Sequence, residues 1–515
     1  MAVRRRLVGE YAAGLLLAAT VASAQTAPPS KVGTRDCAAL TALRLADVRI
    51  ASAAPVPANP AALPVPHCKV LGVISTEIRF QVLLPDSWNG RFLMGGNGGF
   101  AGSLDGDGAR SVGSGYAFAS TDTGHEASAI DGRWALNNPE RIANWGHVGV
   151  HRTAETAKAI VRAYYGRDPA RAYFMGCSNG GRQALMEAQR YPQDFDGLIA
   201  GAPAYDITHI GGGFIKNIKA VFPKPDSAMT PVVTRDNLAL IQRASLEACD
   251  ASDGVRDTVI DSPQQCQFPL SAIKSCPADT PAPDCLTKAQ RQAIQTIYSP
   301  AVSAGKEIYP GQPVGAEADE NGWPLWITGV DEGLLASTNG RASSLQLAFG
   351  PELFKYFMLS DPSWDYTKYA FKTLAHDTAK MAPIVDADNP DLGALRKRGG
   401  RVIIWHGWAD PALNAVSTIN YYRRVQQHDP HAGEYSRLYL LPGVAHCNGG
   451  PGPHRVEWLD AMVDWVEHGK APQRLIAKKT SADRPQRTRP VCPYPQHAVY
   501  KGTGSTDLEE NFVCR

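Results

Sequence analysis

The chain has 515 residues, 44% of them hydrophobic and 20% charged, a composition that excludes a disordered or fibrous protein. With 52 Lys plus Arg against 50 Asp plus Glu, it has neither the basic surplus of a nucleic-acid binder nor an acidic tail. The length suits several average domains or one large enzyme core carrying an insertion.

The first residues read as an export leader. Arg4, Arg5 and Arg6 form a positive head, Ala12 to Ala19 an apolar run, and Ala22-Ser23-Ala24 a cleavage site, so residues 1–24 read as a signal peptide. An uncleaved membrane anchor is the alternative, but the run falls short of the ~20 residues a bilayer span needs. Cleavage leaves 49 residues of each charge sign and no other long apolar stretch. A secreted or periplasmic protein with no membrane attachment is expected, and its ten cysteines are free to form disulfides there.

Residues 25–66, rich in Ala and Pro, read as an irregular lead-in. Ile78–Leu84 and Arg91–Met94 read as strands joined through Asn89-Gly90, which predicts a hairpin. Tyr116–Ser120 reads as a strand and Val150–Tyr165 as a helix. Ala172–Met175 is a short strand, the next helix runs from about Gly181 to Tyr191, and Leu198–Ala200 is a strand again. This alternation implies a parallel sheet covered by helices. From Tyr205 to Asn389 it breaks, in a stretch with four cysteines and many Pro and Gly residues. It resumes with Val402–Trp405, a helix after Asn414, the strand Leu438–Leu441 and an amphipathic helix from Arg455 to His468. One α/β domain, residues 25–204 and 390–515, is thus expected, interrupted by an insertion at 205–389.

Gly176-Cys177-Ser178-Asn179-Gly180-Gly181 falls between a predicted strand and a predicted helix. That is the context in which G-x-S-x-G forms a nucleophile elbow. Flanking glycines leave room for a sharp turn, and the helix N-terminus offers the N–H of Asn179 to a developing oxyanion. A hydrolase built this way needs an acid and then a histidine later in the chain. Asp410 and His446 each follow a predicted strand, in that order: His446 would take the proton of Ser178, and Asp410 would orient the imidazole. His406 precedes the acid, so it reads as a lining or supporting residue rather than the base. His125, His147 and His151 read as hydrogen-bonded structural residues. Cys177 directly precedes the serine and Cys447 directly follows the histidine. A disulfide between them would hold the two loops together, the alternative being two unrelated buried thiols.

Cys177-Ser178, Asp410 and His446-Cys447 match the CS-D-HC pattern of the tannase/feruloyl esterase family, which the chain resembles over nearly all of its expected mature length. The resemblance implies an α/β-hydrolase fold with a large lid inserted between nucleophile and acid, and hydrolysis of aromatic-acid esters through an acyl-enzyme. It implies that the second oxyanion donor comes from Gly95-Gly96-Asn97-Gly98-Gly99, with Gly98 chosen. A phosphate loop is the rival for that run, but no Lys-Ser/Thr follows it. It also implies a structural calcium in the loop from Cys249 to Asp261, held by the carboxylates of Asp250, Asp253 and Asp257 and the carbonyls of Val255 and Val259. By composition alone a solvated acidic loop fits that stretch equally well, and no zinc-type cluster or organic cofactor is indicated. The family pattern and proximity further imply the pairs Cys37–Cys68, Cys249–Cys266, Cys276–Cys285 and Cys492–Cys514, out of many that the sequence allows.

The expected substrate is a small aromatic ester, hydroxycinnamic such as a feruloyl ester, with gallate esters and terephthalate monoesters as alternatives. A calcium-dependent binding protein on a degenerate hydrolase fold is the reading from another class, and the intact Ser, Asp and His speak against it. Trp323, Trp326, Phe349, Phe354, Tyr356 and Phe357 stand as an aromatic pocket wall or as packing within the insertion. Arg341 stands as a ligand for a substrate carboxylate or as a surface arginine.

Overall fold

Strands that are apolar on both faces have to lie inside a sheet covered on both sides, and this rule orders the fold. The computed structural model describes residues 36–61, 63–224, 230–329, 332–481 and 484–515; the leader expected at 1–24 lies outside them. Nine strands form one mixed sheet: β1 (Val48–Val56), β2 (His67–Ile74), β3 (Ile78–Pro85), β4 (Arg91–Gly95), β5 (Ala117–Thr121), β6 (Arg171–Cys177), β7 (Gly197–Gly201), β8 (Arg401–Gly407) and β9 (Ser436–Leu441). Their spatial order is β1-β2-β3-β5-β4-β6-β7-β8-β9. β1, β2, β3 and β5 pair antiparallel, and every pairing from β5 to β9 is parallel. The parallel strands β5 and β7 are buried throughout, whereas β2 alternates between buried and half-buried positions, as a strand near an open edge does.

Successive residues feed opposite layers. Phe174, Leu198, Val402 and Ile404 pack with helix α1 (Gly149–Tyr165) and helix α2 (Asn179–Arg190). Tyr173, Ile199, Ile403 and Tyr439 pack under the helix Trp458–His468 through Trp458, Met462 and Trp465. α1 buries Val150, Ala154, Ala157, Val161 and Tyr165 at helical spacing and ends at Gly166, in the left-handed region at φ 74°. Among the described residues no helix is long and apolar enough to cross a membrane.

Two sequence expectations are corrected here. The stretch read as an irregular lead-in contains β1, which joins the sheet edge through β2; its Ala-rich, Pro-containing sequence carries almost no strand signal. The hairpin between Ile78–Leu84 and Arg91–Met94 does not form, because β5 lies between β3 and β4. β4 is buried from Phe92 to Gly95, a burial that only the parallel interior supplies. The Asn89 side chain also accepts from Arg91 N–H and donates to the Ser114 carbonyl, which ties the turn to the segment entering β5.

Among the described residues, the chain between β7 and β8 adds no strand to the large sheet. The intervening chain has a core of its own, in which Ile215, Ile218, Leu238, Ile241, Ile294, Trp323, Phe354 and Tyr369 pack together. Five disulfides join Cys37–Cys68, Cys177–Cys447, Cys249–Cys266, Cys276–Cys285 and Cys492–Cys514, with Cα separations from 5.0 to 5.9 Å.

Candidate active site

In an open parallel sheet, functional groups collect beyond the carboxyl ends of the strands. Here the loops after β4, β6, β8 and β9 meet at one place. Ser178 follows β6 and caps α2 with φ 63° and ψ −122°, a strained backbone for a non-glycine residue. The neighbours hold it there: its N–H donates to the Gly201 carbonyl at 2.9 Å, and its carbonyl accepts from Ala204 and Arg182 N–H, each at 3.0 Å. The turn needs glycine on both sides, since a Cβ on Gly176 would come within 2.7 Å of the Gly180 backbone.

Asp410 lies past β8 and is fully buried. Its Oδ1 accepts from the N–H groups of Ala412 (2.8 Å) and Leu413 (2.9 Å). Its Oδ2 lies 2.8 Å from His446 Nδ1 and 3.2 Å from His406 Nε2. Burial alone would push the carboxyl up. The imidazoles of His446 and His406 outweigh it and hold Asp410 below the ordinary carboxylate range. His406 is itself enclosed, with Nδ1 2.8 Å from Thr418 Oγ1 and Nε2 3.0 Å from the Leu413 carbonyl. Two acceptors face Nε2, so that nitrogen carries the proton and His406 supports Asp410 from below. His446 stands at the cavity, its ring met edge-on by Trp326 at 4.8 Å. With Nδ1–H pointed at Asp410, its Nε2 is left as the basic nitrogen.

Ser178, Asn179 and His446 line one small cavity of about 60 Å³, walled by Phe100, Trp145, Phe214, Trp326 and Phe349 among others. Of the glycine-rich loop after β4, Gly99 rather than Gly98 reaches this wall. The loop's other donors are committed. Gly96 N–H goes to the Met175 carbonyl, Asn97 N–H to Gln183 Oε1 and Phe100 N–H to the Ala129 carbonyl. Among the described residues the N–H groups of Gly98 and Gly99 have no intramolecular acceptor.

A model of the tannase and feruloyl esterase family matches residues 64–515. The chain belongs to that family. It is 34% identical to an uncharacterized esterase of Xanthomonas campestris, over 93% of this chain and 91% of that one. It is 32% identical to the mono(2-hydroxyethyl) terephthalate hydrolase of Piscinibacter sakaiensis, over 90% and 87%. The crystal structure of feruloyl esterase B from Aspergillus oryzae superposes with a TM-score of 0.83 at 25% identity, covering 93% of this chain and 99% of that one. The protein is a carboxylic ester hydrolase of the feruloyl esterase and tannase type, with a mixed α/β structure around a large central sheet.

Residues beyond the sequence-derived set shape the site of this tannase-family esterase. Arg182, fully buried, donates to Asn179 Oδ1 at 2.8 Å and to the carbonyls of Trp145, Gly146 and Val385. Its guanidinium lies over the Trp145 ring at 4.0 Å. It therefore fixes the first residue of α2 against the cavity wall; its spacing from Asn179 was visible in the sequence, its burial was not. Asp107 accepts from Cys177 N–H at 2.9 Å and steadies the same turn.

Of the six aromatics singled out earlier, Trp326 and Phe349 line the cavity. Trp323 and Phe354 pack inside the intervening segment. Tyr356 and Phe357 pack behind the wall, with Phe357 5.0 Å from Phe100. Arg341 sits on a separate polar depression of about 560 Å³, 3.6 Å from Glu352. His147 and His151 are hydrogen-bonded, to Tyr191 and Asp194. His125 stacks on Trp134 at 3.7 Å, and burial pushes its imidazole down to about 4 against the backbone of Phe100, which pulls the other way.

In the acidic loop, Asp250 Oδ1 accepts from Asp257 N–H at 3.2 Å and Asp253 Oδ1 from Val255 N–H at 2.9 Å. Asp257 Oδ1 accepts from Val259 N–H at 3.2 Å, and its Oδ2 faces Arg489 at 2.5 Å. Asp261 is buried beside them with Oδ2 unpartnered. Burial first, and then the charges of Asp253 and Asp257, push its carboxyl up to about 7. Among the described residues the loop does not bring three carboxylates within 4.8 Å of one another, and Asp257 Oδ2 is paired with Arg489 and Arg487.

Proposed function

We propose that the chain is a secreted or periplasmic serine esterase that cleaves hydroxycinnamic esters, feruloyl esters among them. On this reading the fold is an α/β-hydrolase, with residues 205–389 as the lid over a catalytic domain formed by 25–204 and 390–515. The observation that carries the proposal is the arrangement at one apolar cavity: Ser178 on a strained elbow, His446 beside it, and Asp410 buried behind His446.

Ser178 Oγ attacks the ester carbonyl carbon as His446 Nε2 takes the hydroxyl proton. The tetrahedral oxyanion is met by the N–H of Asn179 and by the loop after β4, at Gly98 or Gly99. Collapse breaks the ester C–O bond, and His446 returns the proton to the departing alcohol. Water then repeats the sequence on the acyl-serine, releasing the acid and restoring Ser178. Asp410, kept anionic by its four donors, stabilises the imidazolium at each transfer.

The wall favours a hydroxycinnamate over a gallate. Apart from Ser178, Asn179 and His446 the lining is apolar or glycine, so three phenolic hydroxyls would be buried without partners, at a cost of roughly 1–3 kcal/mol each. Among the described residues no Lys or Arg lines it either, which disfavours the carboxylate of a terephthalate monoester. Purified enzyme should show kcat/KM for methyl ferulate at least about tenfold above methyl gallate and a terephthalate monoester. A preference for gallate would replace this reading with a tannase.

Asp250, Asp253 and Asp257, with the carbonyls of Val255 and Val259, would hold calcium, and Cys249–Cys266 closes the loop around it. An ion held there would stiffen the lid and take no part in the chemistry. Calorimetry should show a Tm lower by a few degrees after chelation and in Asp250→Ala, since a ligand at a hundredfold excess over its Kd stabilises by about 2.7 kcal/mol. Indifference of Tm to both changes would remove the calcium.

A further inference from the structure

A second group of ligands lies behind helix α2, away from the cavity. His151 stands on α1, Glu187 on α2 and Asp194 in the turn between α2 and β7. Among the described residues, one ligand atom from each of these three lies within 4.8 Å of the other two. His151 Nδ1 is 2.7 Å from Asp194 Oδ2. The ring of His151 is held by Tyr191, stacked on it at 3.8 Å and nearly parallel.

Glu187 supplies an independent sign of a missing ligand. It is 1% exposed, it faces into this group, no N–H or hydroxyl donates to either of its carboxylate oxygens, and the group it meets is another carboxyl, that of Asp194. Two buried carboxyls that face each other either share a proton or hold a cation between them. The ammonium of Lys158 lies near enough to act on the Glu187 charge, but its contacts go to Asp194. That group bonds to the Asp194 carbonyl and lies 3.9 Å from Asp194 Oδ1.

We propose that His151, Glu187 and Asp194 bind a zinc ion. One imidazole nitrogen and two carboxylate oxygens, with water as the fourth ligand, make a tetrahedral set within the ordinary zinc repertoire. Calcium needs six to eight oxygens and does not fit so few donors. The ion would tie α1, α2 and the connection into β7 together. Nine residues separate Glu187 from Ser178 along the chain, roughly 13 Å of helix, so the site supports the elbow helix without touching substrate.

The test uses the whole enzyme, stripped of transition metals with phenanthroline in excess Ca²⁺ so that the acidic loop stays loaded. Titration with ZnCl₂ should show one ion per chain and a higher Tm, with kcat on a p-nitrophenyl ester unchanged. Glu187→Gln should weaken zinc binding by at least about tenfold, since even outer-sphere changes cost that much. Lys158→Met, which removes the competing ammonium, should tighten it. Co²⁺ in place of zinc should give the visible absorption of a tetrahedral site in the wild type and lose it in Glu187→Gln. Should Glu187→Gln fail to fold, His151→Gln gives the same comparison. Absence of stoichiometric zinc, or an affinity that the Glu187 and His151 variants leave unchanged, would overturn the proposal.

Discussion

Replacing Ser178 with alanine should lower kcat on methyl ferulate by ~10⁴-fold or more while leaving Tm nearly unchanged. The hydroxyl oxygen is the one heavy atom lost. The backbone at φ 63° is held by bonds from Ser178 N–H to Gly201 and from Ala204 and Arg182 to the Ser178 carbonyl, and alanine keeps all of them. The cavity wall and the free N–H groups opposite also stay, so binding of the product acid should survive, as isothermal titration can check. His446→Ala should cost a comparable amount. The double variant should be scarcely slower than either single one, because nucleophile and base act as a unit. A purified Ser178→Ala enzyme that keeps its full rate would remove Ser178 as nucleophile, whatever the geometry around it.

The site was legible where local chemistry has to be written in order along the chain. The elbow needs glycine on both sides of the serine, and acid and histidine must each end a strand, so Ser178, Asp410 and His446 stood out as candidates from spacing and strand pattern. The parallel strands were legible for a related reason: burial on both faces leaves unbroken apolar runs such as Val402–Trp405. The edge was not. β1 is mostly exposed, so no apolar alternation marks it. The false hairpin came from a sound turn signal at Asn89-Gly90, whose neighbouring strand β5 arrives from more than twenty residues later. The cavity wall was half legible. Trp326 and Phe349 stood out as aromatics, but Phe100, Trp145 and Phe214 reach the same wall from three other segments, and no local pattern links them. Arg182 and Glu187 look like ordinary exposed positions on an amphipathic helix; only the packing of α2 against α1 and the sheet buries both.

Removing the Cys177–Cys447 bridge should reduce kcat more than its effect on stability explains. The bridge spans 270 residues with a Cα separation of 5.9 Å, and a loop that long is worth about 5 kcal/mol on the chain-entropy model. Stability is thus part of its effect, but its position adds another. Ser178 sits at φ 63° and Cys447 at φ 62°, two strained residues beside one disulfide, each costing on the order of 1–3 kcal/mol unless its surroundings enforce it. Without the bond, Cys447 is the one free to relax. The Ser178 turn keeps its contacts with Gly201, Ala204 and Asp107. Relaxation at Cys447 would carry the adjacent His446 with it, and proton transfer from Ser178 tolerates little displacement beyond about 3 Å. The Cys177→Ala, Cys447→Ala double variant should therefore lose kcat by on the order of a hundredfold at a temperature where circular dichroism shows it folded. The Cys276→Ala, Cys285→Ala pair, whose bridge closes only 9 residues within the intervening segment, should lose Tm and keep kcat. Equal losses of kcat in the two variants, or a normal kcat without Cys177 and Cys447, would mean that the bridge only fastens the chain and that the Asp410–His446 contact alone positions the base.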